Sequence, residues 1–526
     1  MYLGEDQPFL TRHYPFRSMK SIVYHLFVLI LLAFQLSCKT DETKSAAQNK
    51  KSLPNIVVIY ADDLGYGDTG AYGATAIKTP NIDALAAGGL RFTDAHASSA
   101  TCTPSRFALL TGTYPWREEN ARILPGNAPL LIDTTQLTLP ALLKGQGYHT
   151  GIVGKWHLGL GDGQVNWNFP ISPGPNELGF DYSYILAATQ DRVPTVYIKN
   201  GNVVGLDLDD PISVNYQENF PGESTALDHP EMLKLNWDHG HNNSIVNGIP
   251  RIGFMKGGQS ARWVDEDMAD TFLDEAKRYV TSNSDKPFFL YYALQQPHVP
   301  RTPHARFSGV TGLGPRGDAI AEADWCIGEL IKTLKDAGLL ENTLVILSSD
   351  NGPVLNDGYE DQAVELNGNH TPWGPLRGGK YSLFEAGTRV PFIVSWPGTV
   401  TPGVNHALVS QIDLMASLAK LVGDDRPKTD SQDFLATFLG NSQLGRENLV
   451  LEAMGRMAFR KGNWIMIPPY EGPAIQENVK IELGNSQEYL LYNLDEDLGQ
   501  TQNLALQAPQ KLQEMITDYQ KVVGIK

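Results

Sequence analysis

Cysteine is scarce in this chain: three in 526 residues, at Cys38, Cys102 and Cys326. Each belongs to a different segment, which excludes a disulfide framework. Positive charge is also short. The balance of 42 Lys and Arg against 59 Asp and Glu leaves a formal net charge of −17. That excludes a nucleic-acid partner, which needs a basic footprint, and broad electrostatic capture of a polyanion. An anionic substrate must therefore be met by a local cationic pocket. The apolar share, 42%, is ordinary for a globular protein and excludes a polytopic membrane protein. Internal repeats and long low-complexity tracts are absent. What remains is length enough for one large α/β domain plus a smaller one.

The first 38 residues read as a leader. Met1 to Arg17 is polar, and Met19-Lys20 offers a second start before an apolar run, Ile22 to Phe34, that ends in Gln35-Leu36-Ser37-Cys38. A short basic start and an apolar stretch under about twenty residues make a secretory signal, not a membrane span. The Leu-Ser-Cys ending resembles a bacterial lipoprotein signal with Cys38 as the lipid-bearing residue, although Gln35 stands where an aliphatic residue is usual. Residues 39–52 are polar and lysine-rich, a tether. The expectation is export to the periplasm or outer surface of a bacterium, with membrane attachment only through that lipid.

The stretch that organises the rest is Thr101-Cys102-Thr103-Pro104-Ser105-Arg106, continued by Leu109-Leu110-Thr111-Gly112. Pro104 and Ser105 suit the first turn of a helix. Cys102 then lies at a helix N-terminus, which favours an anion, and Arg106 leans over the same face one turn later. A buried structural thiol is the plain alternative. A thiolate phosphatase loop fits poorly, because three residues and a proline separate Cys102 from Arg106 where five, with glycines, are usual.

Short β-branched or aromatic runs mark buried parallel strands, and they end in chemistry. Pro54 to Tyr60 leads into Asp62-Asp63, and Thr343 to Ser348 into Asp350-Asn351-Gly352. Adjacent carboxylates about 4 Å apart repel by roughly 4 kcal/mol at an effective dielectric near 20, so a counter-ion is called for. Asp62, Asp63, Asp350 and Asn351 form an all-oxygen set suited to calcium, with magnesium second; zinc would prefer His or Cys. Tyr148 to Val153 ends in Gly154-Lys155-Trp156-His157, and Pro287 to Leu294 leads to His298. A glycine-rich loop delivers Lys380 before a fifth strand, Phe392 to Ser395. Ligands of open α/β sheets bind outside the carboxyl ends of strands.

Helical patterns fall at Ile82 to Ala87, Thr138 to Gly145, Ala261 to Thr281, Ala319 to Ala337 and Ser410 to Leu421. Thr195 to Gly258 reads as long loops over the site, where specificity is decided; His239-Gly240-His241 within it is read as solvated. Four short runs after residue 448 and a closing helix, Pro509 to Val523, predict a small antiparallel sheet with a helix. The expected fold is α/β: a large mixed, mostly parallel sheet sandwiched by helices, over residues 53–425, and a C-terminal subdomain over 426–526.

Together, Asp62-Asp63, Cys102 to Arg106 with its distal Leu-Thr-Gly, Gly154 to His157, His298, Asp350-Asn351-Gly352 and Gly378 to Lys380 resemble the type I, formylglycine-dependent sulfatases of the alkaline-phosphatase-like superfamily. The resemblance implies that Cys102 is oxidised to formylglycine by a formylglycine-generating enzyme. It implies that Asp62, Asp63, Asp350 and Asn351 hold Ca²⁺, which the modified Cys102 also touches. Lys155, His298 and Lys380 would bind the sulfate, Arg106 and Lys155 steady the nucleophile, and His157 and His298 move protons. Export suggests a sulfated polysaccharide or its oligosaccharides as substrate: an algal galactan, ulvan or a glycosaminoglycan. Gln190, Asp191, Arg192, His370 and Trp373 are the candidates for reading the sugar. A phosphomonoester or phosphonate hydrolase and a non-catalytic surface glycan-binding protein are the alternatives.

Overall fold

Every residue of the run Asn55–Ala61 is buried, as a strand covered on both faces must be. In the computed structural model it lies inside a ten-stranded sheet. Residues 8–13, 53–426 and 428–524 are described; the apolar run, Cys38 and the tether lie outside them. In chain order the strands are β1 (Asn55–Ala61), β2 (Leu90–Phe92), β3 (His149–Lys155), β4 (Tyr182–Leu186) and β5 (Tyr197–Lys199). They continue with β6 (Asn202–Val203), β7 (Phe288–Ala293), β8 (Thr343–Ser349), β9 (Phe392–Ser395) and β10 (Gly403–Asn405). Across the sheet the order is β10-β2-β9-β8-β1-β7-β3-β4-β5-β6. The five from β8 to β4 run parallel. β9 is antiparallel to β8, so the start of this strand, not its end, faces the site. That is why Lys380 reaches the site from the loop before the strand.

Helices cover both faces. The seven longer ones are α1 (Pro80–Ala87), α2 (Cys102–Thr111), α3 (Leu139–Gly145), α4 (Met268–Ser282), α5 (Gly314–Asp336), α6 (Leu414–Val422) and α7 (Pro509–Val523). Val57 and Ile59 of β1 pack with Phe272 and Leu273 of α4 and with Cys326 and Leu330 of α5. Cys326 is thus core. The alternate residue Tyr60 faces the other way, under the Arg106 guanidinium of α2 and donating to Gln411 Oε1 at 2.5 Å. The helix expected from Ala261 begins only at Met268, because Gln259–Ala261 and Asp265–Asp267 form separate tight turns. Asp265 is occupied there, accepting from Arg251, Gln190 and Asn247.

Beyond residue 447 come β11 (Asn448–Ala453), β12 (Arg456–Lys461), β13 (Trp464–Ile467) and β14 (Leu490–Asn493), all antiparallel. Their core takes in Ala100, Ala108 and Tyr114 as well as α7. Residues Pro54–Lys526 form one compact unit, so this smaller sheet is a layer of the whole. Backbone bonds from Ala100 N–H to Glu452 O (2.8 Å) and Glu452 N–H to Ser98 O (3.3 Å) tie β11 to the stretch just before Cys102. Arg460 of β12 donates to both oxygens of Asp94 (3.0 and 2.6 Å) and to Glu385 Oε2 at 3.0 Å. Asp94, His96 and Glu385 cluster as metal ligands do, but Arg460 and Arg389 already neutralise them. Among the described residues no helix is long and apolar enough to cross a membrane.

Candidate active site

Parallel pairing sets Ala61 of β1 opposite Ser349 of β8, so Asp62-Asp63 and Asp350-Asn351 leave the sheet side by side. Asp350 N–H donates to Ala61 O and Asp62 N–H to Gln296 O, both at 3.1 Å. Asp63 sits at φ 64°, a left-handed conformation that costs a non-glycine residue energy. It turns the Asp63 N–H onto Asp350 Oδ1 at 3.2 Å. One oxygen from each of Asp62, Asp63 and Asp350 lies within 4.8 Å of the others, all buried. Asn351 donates its amide to Asp63 Oδ1 at 2.7 Å, while its own Oδ1 is buried without a partner. Buried carbonyl oxygens are rarely left so. Three carboxylates and one orphaned amide oxygen fit a hard divalent cation.

Cys102 opens α2 behind an extended Thr101. Ser105 Oγ accepts from Ser99 N–H at 3.1 Å and donates to Ser99 O at 2.8 Å, which folds the preceding loop against the helix. Cys102 Sγ stands 3.8 Å from Asp62 Oδ1. Burial pushes the thiol up to about 12, outweighing Lys155 and Lys380.

The cations converge on the carboxylates. Lys155, the last residue of β3, places Nζ 2.5 Å from Asp62 Oδ2 and 3.9 Å from Asp350 Oδ2. Gly154 before it has φ 114°, and a Cβ there would lie 1.9 Å from Ala293 O, so only glycine lets β3 end this close to β7. Lys380 Nζ donates to Asp63 Oδ2 at 2.9 Å and Asp357 Oδ2 at 2.8 Å. Burial opposes its charge, but Asp357 and Asp63 raise it well above the ordinary lysine value. Burial also opposes ionisation of Asp350, yet Arg106 and Lys155 hold it at about 2. Asp62 is pushed well up by burial and by Asp350, as expected where buried carboxylates crowd together.

The two histidines have assignable protons. His157 Nε2 lies 2.9 Å from Leu124 O, an acceptor, so Nε2 carries hydrogen and the buried, unpartnered Nδ1 is the free base. His298 Nδ1 faces Val299 O at 2.7 Å, leaving Nε2 3.9 Å from Asp63 Oδ2. Burial first, then Lys155 for His157 and Lys380 for His298, lower both well below the usual imidazole range.

Cys102, His157, His298, Asp357 and Lys380 line a cavity of about 220 Å³. Of the proposed sugar readers, Asp191 and Arg192 line it; Arg192 Nη1 donates to Asp191 Oδ1 at 2.9 Å. Gln190 does not: its amide donates to Asp265 Oδ1 and Thr302 Oγ1, at 2.9 and 3.0 Å. His370 is buried against Asp68 at 2.8 Å, which Arg316 also grips, and Trp373 is half-buried; neither lines the cavity. Two polar lining residues, Asp357 and Tyr381, escaped sequence reading, and His241, expected to be solvated, is buried. His241 bonds Asp191 Oδ2 at 2.8 Å and faces His239 O at 2.9 Å. Asp357 takes Lys380 on one oxygen and the Tyr381 hydroxyl, at 3.0 Å, on the other. For Asp357 and Tyr381, adjacency to the lysine loop was the available signal.

The chain belongs to the sulfatase family: the family model matches residues 54–424, and the fold is the α/β sulfatase fold. It is an enzyme of that hydrolase class, which leaves the non-catalytic reading without support. Along 502 residues, 94% of this chain and 98% of the relative, it is 50% identical to an N-acetylgalactosamine-6-O-sulfatase of Bacteroides thetaiotaomicron. It is 34% identical to human arylsulfatase A over 476 residues, 86% of this chain and 83% of that protein. A solved structure from work on metabolism of multiple glycosaminoglycans by Bacteroides thetaiotaomicron superimposes with a TM-score of 0.89. The two share 51% identity, over 90% of this chain and 99% of that one.

Proposed function

We propose that this sulfatase removes the 6-O-sulfate from an N-acetylgalactosamine of a carbohydrate chain such as a glycosaminoglycan fragment. The observation that carries the reading is identity of 50% along almost the full length of both chains to an enzyme of that name.

Asp62, Asp63, Asp350 and the Oδ1 of Asn351 would hold Ca²⁺ beside Cys102; when bound, the cation supplies positive charge to the sulfate oxygens. Cys102 oxidised to formylglycine supplies, as its hydrate, one hydroxyl to attack sulfur and a second whose deprotonation expels sulfate and restores the aldehyde. Lys380, which lines the cavity, and Lys155, behind it against Asp62, would hold sulfate oxygens, adding charge that is worth most in a dry site. His298 Nε2 bears no hydrogen while Nδ1 donates to Val299 O, so it would take up a proton as the anionic ester binds and, as the imidazolium, pass it to the departing sugar oxygen. Nδ1 of His157, free of any partner, is suited to take the proton of the second hydroxyl. Arg106 fixes Asp350 and so the floor of the site. An aldehyde at Cys102 requires a formylglycine-generating enzyme as partner, and an external glycan requires export.

The test is a set of defined esters given to matured enzyme. N-acetylgalactosamine 6-sulfate should be hydrolysed, with the 4-sulfate and the 6-phosphate far slower. Preference for the 4-sulfate would overturn the positional assignment, and preference for the phosphate would revive the phosphomonoesterase reading.

A further inference from the structure

Thr103 follows Cys102 in the first turn of α2 and is fully buried. A threonine in a helix commonly returns its hydroxyl to a carbonyl of its own preceding turn. This one aims out of the helix. Thr103 Oγ1 donates to His157 O at 2.9 Å and accepts from Leu124 N–H at 3.5 Å. Leu124 O in turn accepts from His157 Nε2–H at 2.9 Å. The three residues close a ring of hydrogen bonds. The threonine holds the main chain of the histidine, and it also holds the segment whose carbonyl holds the imidazole. Ile123 of that segment lines the cavity, as do His157 and Cys102.

His157 needs such a hold. It sits at φ 56°, a conformation that costs a non-glycine residue about 1–3 kcal/mol and persists only where the surroundings impose it. Its N–H is taken by Ala187 O at 3.2 Å and its carbonyl by Thr103, so the backbone is fixed on both sides. The ring nitrogen left for chemistry is Nδ1, buried and without a partner.

We propose that Thr103 is a positioning residue whose hydroxyl aligns His157 Nδ1 with the side chain of residue 102 and so serves the second half of the reaction. The proposal rests on the sulfatase reading above, in which Nδ1 takes the proton of the remaining hydroxyl. The O–H electron pair then forms the carbonyl, the C–O bond to sulfate breaks, and its pair leaves with the sulfate. The sugar departs earlier, in the first half, which draws on Lys380 and His298 instead. Since kcat/KM covers only the steps up to that departure, a defect in the second half lowers kcat and KM together.

Thr103→Val keeps the shape and removes the hydroxyl; Thr103→Ser keeps the hydroxyl. Both are made as full-length enzyme, saturated with Ca²⁺, with rates expressed per molecule converted at residue 102. On N-acetylgalactosamine 6-sulfate, Thr103→Val should lose about 10- to 100-fold in kcat and the same factor in KM. Rapid-quench assays should show a burst of desulfated sugar equal to the active enzyme, and the peptide containing residue 102 should gain the mass of a sulfo group during turnover. Thr103→Ser should match the parent in all three readouts. An unchanged kcat, or a fall in kcat/KM without a burst, overturns the proposal. If Thr103→Val does not fold, Thr103→Ala takes its place; failure of both to fold makes the role structural and also overturns it. His157→Ala separates the two readings. A burst there that Thr103→Val lacks overturns the role of Thr103 alone, whereas no burst in His157→Ala removes the reading of His157, and the proposal with it.

Discussion

Arg106 donates from Nε and Nη2 to the same oxygen of Asp350, at 3.0 and 2.8 Å, across 244 residues of sequence. Helix α2, which presents Cys102, is thereby fixed to the strand end that presents two of the metal-ligand candidates. A buried arginine held this way keeps the helix bearing Cys102 and the carboxylate cluster in one frame.

Lys380 depends on Asp357 for its place. Asp357→Asn keeps the shape and the contact to Tyr381 but removes the charge facing Lys380 Nζ. Loss of positioning of this kind is expected to lower kcat about 10- to 100-fold with little change in KM. Steady-state kinetics on one sulfated sugar would check it; an unchanged kcat would mean Lys380 is held by Asp63 alone.

His298 is read as the proton donor to the departing oxygen, so its loss should depend on the leaving group. In His298→Ala, hydrolysis of a sugar sulfate is expected to fall by about 10²–10⁴. An aryl sulfate, whose phenolate leaves unaided, should fall much less. Equal losses on both would assign His298 to sulfate binding instead.

The orphaned Asn351 Oδ1 bears on the metal. Chelation should abolish activity and lower Tm, and Ca²⁺ should restore both better than Mg²⁺. Saturation at about 100 times Kd is worth about 2.7 kcal/mol of stability. Asn351→Ala should need more Ca²⁺ for the same recovery. Thermal melts against Ca²⁺ concentration read this directly, and identical titrations for the two proteins would contradict it.

How much of this was legible beforehand follows from what strands do. Asp62, Asp63, Lys155, His298, Asp350 and Asn351 each follow or end an apolar run, and burial on both faces makes such runs visible as unbroken apolar stretches. The loops are different. Whether Asp191 meets His241, 50 residues on, or His370 meets Asp68, 302 residues away, is decided by long-range packing with no local pattern. His370 stays out of the cavity lining for the same reason: its partner, the buried Asp68, is paired with Arg316 from α5, and nothing near either residue announces that contact. Trp373 and Gln190 lacked any signal separating a sugar contact from an internal one.

A further titrating group stands behind the site, bonded to Gln296, whose carbonyl accepts from Asp62 N–H. Burial raises Glu322 to about 7 from an ordinary 4.5, against the bonds it accepts from His304 N–H (2.9 Å) and Gln296 (3.1 Å). The folded chain binds this proton more tightly than the unfolded one. Its contribution is therefore full below pH 4.5 and is lost as pH rises toward 7, to the extent of about 3 kcal/mol. Glu322→Gln should lose no stability over that interval through this group. Urea midpoints of both proteins at pH 5 and pH 7.5 would show the gap between them widening in favour of the variant; a constant gap would contradict the shift.

The central claim is that an aldehyde made from Cys102 does the hydrolysis. Preparations spanning a range of conversion, quantified by mass spectrometry of the peptide containing residue 102, should be assayed on N-acetylgalactosamine 6-sulfate. The account predicts a rate proportional to the converted fraction, with a line through zero. Full activity in protein whose Cys102 remains an unmodified thiol, or none in fully converted protein saturated with Ca²⁺, would contradict it.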